Sequence, residues 1–274
     1  MAAPATRPVI TFLSDYGIAD DFVGVCHGVI ATICPDARVI DLTHGIGRHD
    51  VRSGALILRE SLNYMPVGVH LAVVDPDVGA QRRAVALKLA DGRTLVGPDN
   101  GLLSPAAELG GGIVEAVDIA RSPFRLEPVS ATFHGRDIFA PVAAHLAGGR
   151  ALAEAGDPLD PAELVVLELA APRRENGAIV AHVRYVDRFG NLQLDAGHDD
   201  LAGSGLKLGR LATIQPVAAA MHAVTYARTF ADVEPGEPLL YEDAARHLSV
   251  AVNHGDAAQW LAVGVDDELR IRPV

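Results

Sequence analysis

The densest run of reactive side chains is Thr132-Phe133-His134-Gly135-Arg136-Asp137. A histidine titrates near neutral pH, so His134 is a candidate acid, base or orienting group. Read locally, Asp137 is a first-turn acid that suits the start of a helix. A second concentration is VVDPDVGAQRR, where Asp75 and Arg82 lie on either side of a turn. On an open surface such a pair contributes little. Partly buried at a strand end, the guanidinium would hold the carboxylate ionised and fixed in direction, as a base or water-positioning group requires.

Other chemistries find less support. THGIGRHD carries His44, His49 and Asp50, with His27 in a helical stretch nearby, which keeps a metallohydrolase as a minor alternative. No HExxH or comparable ligand spacing accompanies them, so the expectation is no metal and no cofactor. The G-x-S-x-G elbow and the G-x-x-x-x-G-K-[ST] loop are both missing, which removes the main support for a serine hydrolase or a P-loop enzyme. Cys26 and Cys34 form no CxxC pair and read as buried, inert thiols of a reducing cytoplasm.

These groups need a scaffold, and the apolar pattern supplies one. VITFLSDYG, ARVIDLTH, VGVHLAVVDPDVG and RTLVGPDNGLL read as buried strands, while DFVGVCHGVIATIC, DVRSGALILRESLNYM and DIFAPVAAHLAGG have helical spacing. Alternating strands and helices predict a parallel α/β sheet with helices on its faces. Acids follow the strands: Asp15, Asp41, Asp75 with Asp77, and Asp99 with Asn100. Each suits a tight turn, but four strand ends with the same feature predict a shared site beyond their carboxyl ends.

After the charged, proline-bearing AELVVLELAAPRRENG the character changes. AIVAHVRYVD, NLQLD, LKLGRLATIQPV, AVTYARTF, LLYE, HLSVAVN and LRIRPV are short runs with partial period-two alternation, as in a small barrel or sandwich. The predicted organisation is an α/β domain over 8–172 and an all-β, barrel-like domain over 177–274. With 23 Lys plus Arg against 35 Asp plus Glu, the formal charge of -12 has the wrong sign for phosphate backbones or anionic lipid. No basic leader precedes an apolar run and acids interrupt every long one, so neither export nor a membrane span is expected.

Five motifs, in order, resemble the S-adenosylmethionine hydroxide adenosyltransferases, relatives of the fluorinase and chlorinase. They are Phe12-Leu13-Ser14-Asp15-Tyr16-Gly17, Val74-Asp75-Pro76-Asp77-Val78-Gly79 with Arg82, Gly97-Pro98-Asp99-Asn100-Gly101, Thr132 to Asp137, and Asp187-Arg188-Phe189-Gly190-Asn191. The resemblance implies attack of water on the 5′ carbon of S-adenosylmethionine, giving adenosine and methionine. It assigns Asp75, Arg82 and His134 to activating that water; the halogenase branch lacks this trio. It implies that Asp15 holds the ribose hydroxyls and that Asp187, Phe189, Asn191 and Asp243 contact the substrate. It further implies a homotrimer with sites between subunits. The chain departs from the family pattern at Asp77, at Leu194-Asp195 and at Asp243-Ala244. Added charge at Asp243 should weaken methionine binding, which leaves a nucleoside-binding protein with little turnover, or a halogenase, as alternatives.

Overall fold

The computed structural model describes residues 7–217 and 219–274. The chain divides into two compact units, one ending at Leu167 and the other beginning at Glu168. Family-level expectation and architecture agree: a helix-flanked sheet comes first and a closed barrel second.

In the first unit, β1 (Val9–Ser14), β2 (Arg38–Thr43), β3 (Val69–Val73), β4 (Ala84–Leu89), β5 (Thr94–Pro98), β6 (Ile113–Asp118) and β7 (Asp157–Pro158) form one sheet. Its order is β2-β1-β3-β5-β4-β6-β7. The four read from sequence, β2, β1, β3 and β5, are parallel. β4, β6 and β7 extend the sheet with antiparallel pairs. The parallel expectation therefore holds for one half, and the sheet as a whole is mixed. β4 had no strand signal separable from its flanks, because AVALKL is apolar at almost every position and alternation is hidden in a strand buried on both faces.

Alternating residues of β1 face different layers. Ile10 and Phe12 pack in a cluster with Cys26 and Ile30 of α1 (Phe22–Ile33) and with Val142 and Ala143 of α4 (Ala140–Ala147). Leu13 packs oppositely, with Ala55, Leu58 and Leu62 of α2 (Val51–Leu62) and Ala106 of α3 (Ser104–Leu109). The period of two thus produces a helix layer on each face. α2 starts where the Asp50 side chain accepts a hydrogen bond from the Ser53 N–H, a cap whose loss costs about 1 kcal/mol. α4 is entered through a π-helical turn, Gly135–Phe139.

In the second unit, β8 (Arg173–Glu175) flanks β9 (Ala178–Val186). With β9, the strands β10 (Leu192–Gly197), β11 (Arg210–Pro216), β12 (His222–Tyr226), β13 (Pro238–Glu242), β14 (His247–Val252) and β15 (Glu268–Pro273) close into a seven-stranded barrel through the β9–β10 pairing. The seven sequence runs are its seven staves. Inward residues such as Val183, Leu194, Ile214 and Leu240 form the core, joined by Ala257 and Leu261 of α5 (Ala257–Leu261). Closure pairs both sheet edges, which separates a barrel from the sandwich the sequence also allowed.

Candidate active site

Asp75 follows β3, and Arg82 lies before β4 across the turn between them. Arg82 Nε donates to both Asp75 carboxylate oxygens, at 2.8 and 3.0 Å, and its Nη2 donates to Asp75 Oδ2. The same Nη2 donates to His134 Nδ1 at 2.8 Å. His134 caps the π-helical turn, 52 positions later in the chain. Side-chain exposure is only 7% for Arg82 and 6% for Asp75, so water screens this contact poorly. Phe139 backs the guanidinium, its ring centre 5.2 Å away. The three residues expected from sequence thus meet, joined through the arginine.

The chain of contacts fixes the histidine tautomer. Arginine offers only donors, so Nδ1 of His134 must accept, and the ring proton of the neutral form sits on Nε2. Burial, then the nearby Arg82 charge, lowers the pKa of His134 below its ordinary 6.5. At neutral pH the imidazole is uncharged.

Asp15 continues β1 at the same carboxyl-end edge and accepts a hydrogen bond from the His49 N–H at 3.0 Å. Next to it is Tyr16, a residue inside a quoted motif to which sequence reasoning gave no role. Its ring meets Phe133 edge-on at 5.8 Å, and Phe22 meets Phe133 at 5.1 Å. Burial, followed by the negative groups around it, including Asp75 and Asp15, raises the phenol well above 10, so it stays protonated. Its hydroxyl lies against Gly135, where any Cβ would collide with it. The aromatic run Tyr16, Phe22, Phe133 was present in sequence, but three separated rings carry no proximity signal.

Other strand-end residues serve the scaffold. Asp99 is buried and accepts from Arg83 Nε at 2.7 Å and from the Val165 N–H at 2.8 Å. The Asn100 side chain donates to the Val74 carbonyl at 2.9 Å. The expected sharing of one site by all four strand ends therefore does not hold: Asp99 is consumed in tying down a loop. Asp137 is likewise saturated, accepting from Arg136 and from the Ser130 N–H. Burial opposes its ionisation, but these donors outweigh it and lower its pKa. Asp77 is exposed in its turn. Of the sequence-stated metal alternative, Asp50 caps α2, and His44 groups with His27 and Asp41 instead.

Two of the barrel candidates, Asp187 and Asp243, organise the loops in which they sit. Asp187 Oδ1 accepts from the backbone N–H groups of Phe189 and Asn191, at 2.8 and 3.0 Å, and Oδ2 accepts from Asn191 Nδ2 at 2.8 Å. Gly190 has φ 79° and faces Asp256 so closely that no side chain fits, so glycine is required in this turn. Phe189 is 65% exposed and Arg188 lies over its ring. Asp243 Oδ1 accepts from the N–H groups of Ala245 and His247, both at 2.9 Å. Its Oδ2 accepts from Gln193 Nε2 at 2.6 Å and Ser249 Oγ at 3.1 Å. Four donors therefore surround this carboxylate. Asp195 accepts from the His182 backbone and ring nitrogens, both at 2.8 Å.

The chain has relatives among known proteins. The model of the SAM hydroxide adenosyltransferase N-terminal domain matches residues 10–156, and that of the C-terminal domain matches 181–270. The chain is 48% identical to a protein of Salinispora tropica named (R)-S-adenosyl-L-methionine hydrolase, over 97% of this chain and 98% of that one. A protein of the same name from Thermus thermophilus is 38% identical, over 97% and 99% respectively. A fluorinase of Actinoplanes is more distant, at 29% over 90% and 91%. Among solved structures, an uncharacterized conserved protein of Thermotoga maritima superposes with TM-score 0.89 at 38% identity, covering 96% of this chain and 99% of that one. Both units and the motifs that carry the trio thus fall within matched segments, and the chain belongs to the S-adenosylmethionine hydroxide adenosyltransferase family.

Proposed function

We propose that the protein hydrolyses S-adenosylmethionine, in the (R) configuration that names its relatives, to adenosine and methionine. The observation that carries this reading is the buried contact chain from Asp75 through Arg82 to His134. Water oxygen bonds to the 5′ carbon as the carbon–sulfur bond breaks, and the electron pair leaves on sulfur as a neutral thioether. The sulfonium is already a good leaving group, so the barrier lies in aligning water and removing its proton.

Asp75 is the acceptor for that proton, a role worth about 10² to 10⁴-fold in rate. Arg82 fixes its direction. His134, with its proton on Nε2, holds the water oxygen as a donor and does not serve as the base. The sequence left its role open among acid, base and orienting group, and this tautomer favours the last. A water-excluding site helps, because bringing water's developing negative charge to a sulfonium destroys charge.

Asp15 is assigned to the ribose hydroxyls, and Asp187, Phe189, Asn191 and Asp243 to the methionine and adenine ends. The complete unit is a homotrimer in which the α/β domain of one subunit and the barrel of another enclose each site, as the family resemblance implies. No cofactor takes part. The negative charge argues against nucleic acid as a partner, and two buried free thiols, Cys26 and Cys34, fit a cytoplasmic location. No helix among the described residues is long and apolar enough to cross a membrane.

Incubation with substrate in ¹⁸O-water should place the label on the adenosine 5′ oxygen, with equimolar methionine. Adenosine binding without either product, or a chloride-dependent 5′-chloro product instead, would overturn the proposal.

A further inference from the structure

A second cluster of side chains lies at the carboxyl end of the edge strand β2, beside β1. Asp41 stands in the edge strand β2, His44 follows it, and His27 projects from α1. Asp41 Oδ1 is 2.9 Å from His27 Nε2 and 3.1 Å from His44 Nε2, and the three ligand atoms lie within 4.8 Å of one another. A metal ion with bonds of about 2.0 to 2.2 Å holds its ligand atoms roughly 3 to 4 Å apart, so little adjustment is needed.

His44 gives the independent observation. Its side chain is 5% exposed, yet buried Nε2 makes no hydrogen bond, despite the carboxylate oxygen 3.1 Å away. The other ring nitrogen is engaged with Ser14 Oγ at 2.7 Å. A buried nitrogen whose nearest partner is poorly aligned is under-satisfied, and coordination to a cation beside the same carboxylate would satisfy it. A hydrogen bond from Nδ1 to an oxygen is also the usual outer contact of a metal-bound imidazole, since it leaves the Nε2 lone pair free. Phe12 supports both rings, with centroids 4.7 Å from His44 and 6.1 Å from His27.

We propose that His27, Asp41 and His44 form a site for one divalent transition-metal ion of the Zn²⁺ or Co²⁺ class, with solvent completing the coordination. Two imidazoles and one carboxylate suit such ions better than Mg²⁺ or Ca²⁺, which prefer all-oxygen sets. The ion would act as a clip. It would join α1 and the end of β2, and through Ser14 it would brace the turn in which the Gly17 N–H donates to the His44 carbonyl at 2.8 Å. That turn begins with Asp15, so metal would stiffen a proposed ribose-binding segment without joining the reaction.

The test is direct titration of chelator-treated protein with Co²⁺, read by visible d–d absorption and calorimetry, with Zn²⁺ competing. One ion per chain is expected. Asp41→Asn and His27→Ala alter partly exposed groups, at 41% and 36% side-chain exposure, and should fold. Each should weaken Co²⁺ binding at least tenfold and abolish the Zn²⁺-induced rise in Tm, while His49→Ala binds like the parent. Absence of stoichiometric Co²⁺ binding, or binding unchanged in both variants, would overturn the proposal. Neither readout uses turnover, so the outcome is separate from that of the hydrolase reading.

Discussion

The two units use the same residue type in opposite ways. In the α/β unit, Asp75 is held by the side chain of Arg82, which in turn grips His134 from a distant segment. In the barrel, Asp187 and Asp243 each accept from two backbone N–H groups of their own loops, with neutral side chains of Asn191, Gln193 and Ser249 as the other donors. A cation holds a carboxylate in direction while leaving it able to take a proton; backbone donors spend a carboxylate on shaping a turn. Asp75, the proposed base, is thus held by a side-chain cation, whereas Asp187 and Asp243 organise loops, as Asp99 also does within the first unit.

The sharpest way to break this contrast is Asp75→Asn. Adenosine release should fall by about 10² to 10⁴-fold, because the amide cannot accept the proton. Circular dichroism should confirm folding, as the change leaves Arg82 buried without its counter-charge. A fall smaller than tenfold in a folded variant would remove Asp75 as the base.

Acid should next separate the units, since the histidines whose pKa values are pushed down, His70, His134 and His145, all belong to the first. Burial lowers His70 to about 4 from 6.5. Between those values the unfolded chain binds a proton that the folded chain refuses, so stability is full above 6.5 and lost as pH falls toward 4. The expected loss is of the order of 3 kcal/mol, readable by urea titration and diminished in a His70→Gln variant that folds. Activity should fall over a lower range than an ordinary histidine would give, because His134 must stay neutral to accept from Arg82.

For the barrel, Asp187→Ala should cost about 2 kcal/mol, since three hydrogen bonds to Oδ1 and Oδ2 disappear while the backbone donors remain in place. The smallest change should come from Asp243→Asn, about 1 kcal/mol by the same measurement. The amide keeps an acceptor for Ala245 and His247 but turns a donor toward Gln193 and Ser249. If Asp243→Asn instead sharply improves substrate affinity with unchanged stability, the charge acts on the ligand and the contrast fails for that residue.

Much of this was legible from the chain. Residue identities and motif order supplied the trio, the strand-helix alternation of the first unit and all seven staves of the barrel. Local chemistry suffices for these: β-branched runs, turn residues and helical spacing act over a few positions. Tyr16 and Phe139 were invisible as neighbours of the trio because their importance is one of packing.

Tertiary structure decided what each polar residue faces. Sequence could not separate Asp99, clamped by Arg83 and Val165, from Asp75, since both follow apolar strands. Nor could it select His27 and Asp41 as companions of His44 over the adjacent His49 and Asp50. The physical reason is common to both cases. A side chain's chemistry belongs to its type and can be read one residue at a time, whereas its partner and its dielectric surroundings arise only when strands distant in sequence take neighbouring places in a sheet.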